Sequence, residues 1–232
     1  MEKYLDVLRR CALFDGVGDE EIPAMLSCLK ARVIKVEKGE NIFTEGEPAR
    51  YVGIILSGEA QIIMLDYFGH RSIMSFIEPA QIFGESFACA DVDVLPVSVV
   101  ASSPCEVLLI DCRYMVDVCS RACSFHNKMI YNMLKIVARK NLEFNRKIEI
   151  TSKRSTREKL MAYLMTQAKL RGSNNFTIPF DRQELADYLG VERSAMSAEL
   201  SRMRREGLVD YKRSWFKVQR NQNGEEMNNW YV

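Results

Sequence analysis

The sequence predicts an α+β chain with an N-terminal β-barrel of jelly-roll type, a long helix and a C-terminal winged helix-turn-helix. Three observations carry that prediction. Short β-rich runs separated by glycine turns fill residues 32–111. A segment without Gly or Pro follows, from about Ser124 to Ser152. The stretch RQELADYLGVERSAMSAEL then places small, left-handed and apolar residues where two crossing helices need them. An apolar content of 47% supplies enough material for a packed core and argues against disorder.

The elements follow in order. Within DEEIPAMLSCL, Ile22, Met25, Leu26 and Leu29 fall at helical spacing, with Asp19 as the expected N-cap. The expected strands are RVIKV, YVGIILSG, AQIIMLDYF, RSIMSFI, VSVVAS and EVLLID. Between them stand Lys38-Gly39-Glu40, Glu45-Gly46-Glu47-Pro48, Ser57-Gly58-Glu59, Phe68-Gly69-His70 and Glu78-Pro79. In the long helix, Ile130, Leu134, Val137, Asn141, Phe144, Ile148 and Thr151 alternate spacings of 4 and 3. That is a heptad seam, the pattern of a coiled-coil dimer, and one polar Asn in such a seam sets register at a cost in stability. A plain amphipathic helix packed on its own domain is the alternative. A second stripe, Met129, Met133 and Ile136, suits packing on the barrel. SKRSTREKLMAYLMTQAKLRG reads as a helix with Leu160, Leu164 and Ala168 on one face and Gly172 as its stop. NNFTIPFD is an extended link, and GLVDYKRSWFKV a two-strand hairpin. The boundaries expected are 1–123 for the barrel domain, 124–152 for the dimerisation helix and hinge, 153–220 for the winged helix-turn-helix, and 221–232 for a tail.

Charge separates the parts. The net is +1, yet 153–220 holds 15 Lys/Arg against 8 Asp/Glu, a net of +7, while 1–152 stands at −4 and the tail at −2. A basic C-terminal third on a near-neutral chain points to a polyanion partner for that third. Seven cysteines, an odd count without paired spacing, favour a reducing cytoplasm over a disulfide framework. No apolar run reaches 18 residues, and MEKYLDVLRR is too charged for a signal peptide, so no membrane is expected. No nucleophile–base pair, metal constellation or P-loop supports an enzyme.

A helix-turn-helix needs a small residue where its second helix crosses the first, and Ala186 supplies it. The turn needs tolerance of left-handed geometry, which Gly190 supplies, and the second helix needs an inward anchor, which Met196 supplies. Met196, Leu200 and Met203 form the core face, so Arg193, Ser194, Ser197 and Arg202 project outward. Such side chains suit base edges and phosphates. Arg182, Gln183 and Ala198 border the same surface, and Lys212, Arg213 and Lys217 place charge on the wing. Glu199 is the anionic exception, suited to a cytosine amino group or to pairing with Arg202 or Arg193. An αα-hairpin with an exposed basic face is the competing structural account.

With these parts in this order, residues 5–219 resemble the family of the cyclic-AMP receptor protein and the fumarate–nitrate regulator (CRP/FNR). KGENIFTEGEP, YVGIILSGEAQII, IFGES and DRQELADYLGVERSAMSAELSRMRREGLV carry the resemblance. It implies a cyclic-nucleotide-binding-like barrel that senses an effector and a cytoplasmic homodimer joined along the long helix. It also implies recognition helices in successive major grooves of a near-palindromic double-stranded DNA operator, with RNA polymerase as a further candidate partner. Arg193 falls on a DNA-contacting arginine of the cyclic-AMP branch, but Ser194 and Ala198 replace a glutamate and an arginine there. The target sequence should differ accordingly. A ligand-binding regulatory subunit working through protein contacts is the alternative function, and a cysteine-based redox-sensing regulator another.

In the cyclic-nucleotide branch a Gly-Glu turn and an arginine cradle the phosphate. Gly84, Glu85 and Ser86 are kept, but the Arg-Ser pair falls on Leu95 and Pro96. A phosphate without its counter-charge forgoes a bond worth about 1.5–3 kcal/mol, and Pro96 lacks a backbone donor. Cyclic AMP is therefore not the expected effector unless Arg71 or Arg50 supplies the cation. Phe87, Leu95, Pro96 and Val97 would edge a more apolar pocket, whose ligand stays unknown. The clustered N-terminal cysteines of the iron–sulfur branch are missing, with Cys11 and Cys28 alone near the N-terminus. Cys112, Cys119 and Cys123 share a helical face at i, i+7 and i+11, followed by His126. Seven helical residues span roughly 10 Å, too far for one ion, and Cys on a core stripe usually acts as a small hydrophobe. Cys89, in the pocket loop, is the better thiol-sensor candidate, and nothing around His126 or His70 marks a haem ligand.

Overall fold

The computed structural model describes residues 2–116 and 124–219. Cys119, Cys123, the side chain of His126 and the tail 221–232 lie outside the described residues. Contacts divide the chain into two units, Met1–Phe144 and Asn145–Val232.

The first unit begins with helices α1 (Leu5–Arg10) and α2 (Glu21–Cys28). Ile22, Met25, Leu26 and Leu29 are buried, as their spacing requires. Asp19 does not cap α2, because Glu20 holds that position without a side-chain bond and the Asp19 carboxylate takes Arg9 Nε and Nη2 at 2.8 and 2.7 Å. The strands are β1 (Arg32–Val36), β2 (Asn41–Phe43), β3 (Tyr51–Ser57), β4 (Ala60–Leu65), β5 (Arg71–Ile77), β6 (Ile82–Phe83), β7 (Ser98–Ala101) and β8 (Cys105–Asp111). Helix α3 (Glu85–Cys89) stands between β6 and β7, and α4 (Arg113–Val116) follows β8. The strands form two antiparallel four-stranded sheets, β1-β8-β3-β6 and β2-β7-β4-β5. They do not close into a barrel. They are a jelly-roll-like pair whose inner faces share one core.

Side-chain alternation explains the layers. Ile55 of β3 and Val107 and Leu109 of β8 meet Phe43, Ile77, Val99 and Ala101 between the sheets. Val52, Ile54 and Leu56 of β3, with Leu108 and Ile110 of β8, point the other way onto Leu8, Met25 and Leu26 of the N-terminal helices. Both faces of these strands are covered, so their sequences read as continuous apolar runs. Met129 and Ile136 of α5 (Ser124–Thr151) join that outer core, with Met133 packed against it. Buried Asn132 anchors the same helix face, its amide donating to the carbonyls of Leu13 and Asp15 at 3.1 and 2.8 Å.

In the second unit, α6 (Thr156–Arg171) starts at a capping box: the Ser155 hydroxyl accepts from Glu158 N–H while the Glu158 carboxylate accepts from Ser155 N–H. It ends on left-handed Gly172. The link NNFTIPFD contains a strand, β9 (Asn175–Thr177), so the expected two-strand hairpin is a three-stranded sheet. Its order is β10-β11-β9, with β10 at Val209–Lys212 and β11 at Trp215–Val218. Helices α7 (Arg182–Leu189) and α8 (Arg193–Arg205) lie between, and α6 and α7 both pack on α8. Among the described residues no helix is long and apolar enough to cross a membrane.

Candidate nucleic-acid interface and barrel cleft

The α7–α8 crossing is built by local physics. Asp181 and Glu184 form a capping box that starts α7. Ala186 is fully buried at the crossing. Gly190 ends α7 at φ 61°, ψ 54°, a left-handed position any L side chain would strain. Met196, Leu200 and Met203 are fully buried beneath α8. The opposite face is therefore forced outward. Arg193, Ser194, Ala198 and Arg202 are exposed and Ser197 half-exposed. Arg193 makes no hydrogen bond or ion pair within the described residues and stands at the first turn of α8. The cap residue there, Glu192, makes no side-chain bond, so the first N–H groups remain open to a phosphate.

The flanking charges are less uniform. Glu199 is mostly buried and accepts from Arg202 Nη1 at 2.8 Å and Arg157 Nη1 at 3.3 Å. Its charge is thereby matched within the protein, through Arg202 as one of the two partners expected. Arg157 also pairs with Glu206. A cleft of about 520 Å³ opens beside these groups, lined by Ser155, Thr156, Arg157, Ala195, Ala198, Glu199 and Arg202. Arg182 is half-buried, its guanidinium 4.7 Å from the ring centre of Tyr211 and 4.9 Å from that of Phe216. It ties the start of α7 to the wing sheet. Gln183 donates to Asp187 at 2.8 Å. Lys212 and Arg213 are exposed at the wing tip, where Arg213 takes φ 53°.

On α5, the seam residues of the first unit face outward: Ile130, Leu134, Val137 and Phe144 are 50, 66, 36 and 41% exposed. Asn141 is exposed among them, and in the second unit Ile148 is 62% exposed. The heptad stripe is thus apolar surface that one chain leaves uncovered.

In the first unit, a cleft of about 330 Å³ is lined by Phe43, Glu47, Pro48, Arg50, Tyr51 and Leu95. Of the residues expected there, Leu95 lines it, and Gly84 abuts it. A Cβ on Gly84 would lie 2.8 Å from the Phe43 ring and 2.9 Å from the Tyr51 carbonyl, at a φ of 80°. The others lie elsewhere. Glu85 is 1% exposed and accepts from Lys140 of α5 at 2.9 and 3.0 Å, while Lys140 also donates to the Ile82 carbonyl at 2.6 Å. Ser86 donates to Glu85, Phe87 is half-buried, Pro96 is exposed and Val97 buried. Sequence spacing missed Phe43, Glu47, Pro48 and Tyr51, which come from β2, the start of β3 and the loop between them.

Arg50 does reach this cleft, but its guanidinium is engaged: Nε and Nη2 meet Asp111 at 2.7 and 2.6 Å. Arg71 lies on β5, bonded to Gln61. Asp111 also accepts from Arg113 Nη2 at 2.8 Å. Arg113 first, then Arg50, hold its carboxyl well below the usual carboxylate range. A depressed folded-state pKa adds stability that is complete above the unfolded value of about 3.9 and is lost as pH falls below it. Acid titration followed by circular dichroism is therefore expected to show the first unit weakening below about pH 4. Asp111→Asn is expected to flatten that acid limb, at a cost in stability near pH 7.

The cysteines also depart from their expected places. Cys112 is a turn residue between β8 and α4, and its expected companions Cys119 and Cys123 lie outside the described residues. The Cys112 Sγ lies 3.6 Å from that of Cys89. His70 Nδ1 is 2.9 Å from Asp66. Among the described residues no group of three His, Cys, Asp or Glu side chains is placed to hold a metal.

Comparison with known proteins adds independent findings. Residues 33–122 match the model of the cyclic nucleotide-binding domain, and 158–220 that of the Crp-like helix-turn-helix domain. Transcriptional activator protein FnrA of Stutzerimonas stutzeri is 22% identical over 180 residues, spanning 75% of this chain and 71% of that protein. The structure of FixK2 from Bradyrhizobium japonicum superposes at a TM-score of 0.64 and 20% identity, covering 83% of this chain and 94% of that one. The c-di-GMP-responsive global regulator CLP of Xanthomonas campestris gives 0.69 at 15% identity, covering 86% and 100%. At those identities the two structures establish the shared fold.

Proposed function

The chain belongs to the CRP/FNR family of transcription regulators, and from that premise we propose that it reads a near-palindromic operator as a cytoplasmic homodimer. DNA binding by a Crp-like helix-turn-helix is the family's activity and not an enzymatic one. The finer assignment concerns which residues do it here. The observation that carries it is the outward strip of α8, in which Arg193 stands exposed and unpaired at an open helix N-terminus. We assign Arg193, Ser194 and Ser197 to base edges and nearby phosphates. Lys212 and Arg213 go to the backbone beside the groove, and Arg202 to the edge of the same surface, shared with Glu199. Gln183 and Ala198 flank the strip. Arg182 serves by bracing α7 against the wing. We propose that two copies join along Ile130, Leu134, Val137, Asn141, Phe144 and Ile148 and read half-sites about one helical turn apart, roughly 34 Å.

The effector proposed for the barrel cleft is a small molecule that needs no free phosphate counter-charge. Glu85 is bonded to Lys140 and Arg50 to Asp111, so a cyclic nucleotide would have to displace two ion pairs. A large thermal shift with cyclic AMP would overturn this.

The interface is tested by fluorescence anisotropy on duplexes from the chain's own upstream region. Affinity is expected to fall linearly with the logarithm of salt concentration, with a slope of several phosphate contacts. Arg193→Ala is expected to weaken the cognate site by about 1–3 kcal/mol, with less effect on unrelated duplex. Unchanged cognate affinity would remove Arg193 from the interface.

A further inference from the structure

We propose that Cys89 and Cys112 are a peroxide-oxidisable dithiol that closes to a disulfide, tying α3 to the end of β8. Their sulfurs are already in contact at 3.6 Å, across 23 residues of sequence. The two differ in access, since Cys89 is exposed and Cys112 is buried, so an oxidant meets Cys89 first and the buried thiol resolves it. Closing to a disulfide length of about 2.05 Å requires a shift of about 1.5 Å. The irregular segment 90–97 after the five-residue α3 can absorb that shift.

Two other described thiols, Cys11 and Cys105, are unlike this pair. Cys11 is 1% exposed, and burial pushes its thiol up to about 11. Cys105 is buried and donates to the carbonyls of Glu59 and Ser103 at 3.2 Å each. At the pair, the hydrogen bond from Cys112 lowers the Cys89 thiol below its ordinary value, and the Cys112 thiol is raised in return. The nucleophilic partner is therefore the accessible one.

The chemistry balances with hydrogen peroxide as oxidant. The Cys89 thiolate attacks one peroxide oxygen, the O–O bond breaks, and the departing hydroxide takes a proton to become water. The Cys89 sulfenic acid that remains is attacked by Cys112 sulfur, which gives up its proton as the S–S bond forms and a second water leaves. Two electrons pass from the thiols to peroxide, and a small dithiol such as dithiothreitol returns them. Because α3 begins at Glu85, the disulfide would fix the far end of the same short helix that holds Lys140. This goes beyond the operator-binding assignment and does not depend on it.

The test uses the reduced full chain treated with hydrogen peroxide, blocked with an alkylating agent and digested without reductant by trypsin and a glutamate-specific protease. Peptide 86–106 then carries Cys89 and Cys105, and peptide 107–113 carries Cys112 alone. The expected result is a link between those peptides, within one chain and reversed by dithiothreitol. Cys105→Ser should keep the link, and Cys89→Ser and Cys112→Ser should each abolish it. Cys112→Ser should also leave a dimedone-reactive sulfenic acid at Cys89. A link joining any other pair, Cys119 and Cys123 included, overturns the proposal. So does a link between two chains, or full alkylation of Cys89 after excess peroxide.

Discussion

Leu134→Lys is expected to turn the chain into a monomer at micromolar concentration and to weaken operator binding by on the order of 10²- to 10⁴-fold. Leu134 is 66% exposed on α5, flanked on the same stripe by Ile130, Val137 and Phe144. A contiguous apolar stripe at heptad spacing on a 28-residue helix is costly to leave in water. Burying each such side chain against a second copy contributes about 1.5–3 kcal/mol, and a lysine reverses that gain twice, once from each copy. The fold of the single chain should not suffer, because the buried face of α5 uses Met129, Ile136 and Asn132 instead. Circular dichroism is thus expected to stay unchanged while analytical ultracentrifugation reports half the mass. Operator affinity falls because two linked half-site contacts become one. A variant that remains dimeric would show that α5 is not the interface. Asn141→Leu on the same seam is the companion case: a tighter but less well-registered dimer.

Local chemistry made much of this legible before any coordinates. The α7–α8 crossing is specified within some twenty residues, so Ala186, Gly190 and Met196 could be placed by spacing alone. The heptad on α5 is likewise a property of one helix. The long strands β3 and β8 stood out because burial on both faces makes them continuously apolar. Elements too short for any period to develop did not: β2, β9 and β6 have 3, 3 and 2 residues. The boxes Ser155–Glu158 and Asp181–Glu184 were present at the right spacing, yet Asp19 looked equally able to cap α2. What separates them is tertiary, since Arg9 claims the Asp19 carboxylate.

The cleft was harder for the same reason. Expectation followed the chain from Gly84 to Val97, but only Leu95 of that stretch lines the cleft; the rest of the lining comes from Phe43 to Tyr51, which pairing between β3 and β6 brings beside Gly84. Neither Arg50 with Asp111, 61 residues apart, nor Glu85 with Lys140, 55 apart, carries any local signature. Cys89, which ends α3, could be picked out by its place in the Gly84–Val97 stretch, whereas its partner Cys112 could not. A stripe at i, i+7 and i+11 presumes a continuous helix, and Cys112 is the turn that precedes one.

Lys140→Ala is expected to destabilise the first unit by about 3–5 kcal/mol, the cost of leaving a buried carboxylate without its partner. Glu85 is 1% exposed, and Lys140 provides its cation at 2.9 Å. The same ammonium satisfies the Ile82 carbonyl, so its removal strands two acceptors. Chemical denaturation of the full chain should show the loss in the transition assigned to residues 1–144. The double variant Glu85→Gln/Lys140→Met separates charge from packing. With no charge left to bury, most of the loss should return, because a buried ion pair replaced by neutral groups of similar volume is often near neutral in stability. A loss under about 1 kcal/mol for Lys140→Ala would mean that water reaches Glu85 and that the pair contributes no more than a surface bridge. The functional corollary follows from position. Glu85 opens the helix beside the cleft and Lys140 sits on the helix that bears the seam. On the proposal that α5 carries the dimer seam, a ligand that drew Glu85 away from Lys140 would loosen α5 there, and the Lys140→Ala variant should then lose dimer affinity as well as stability.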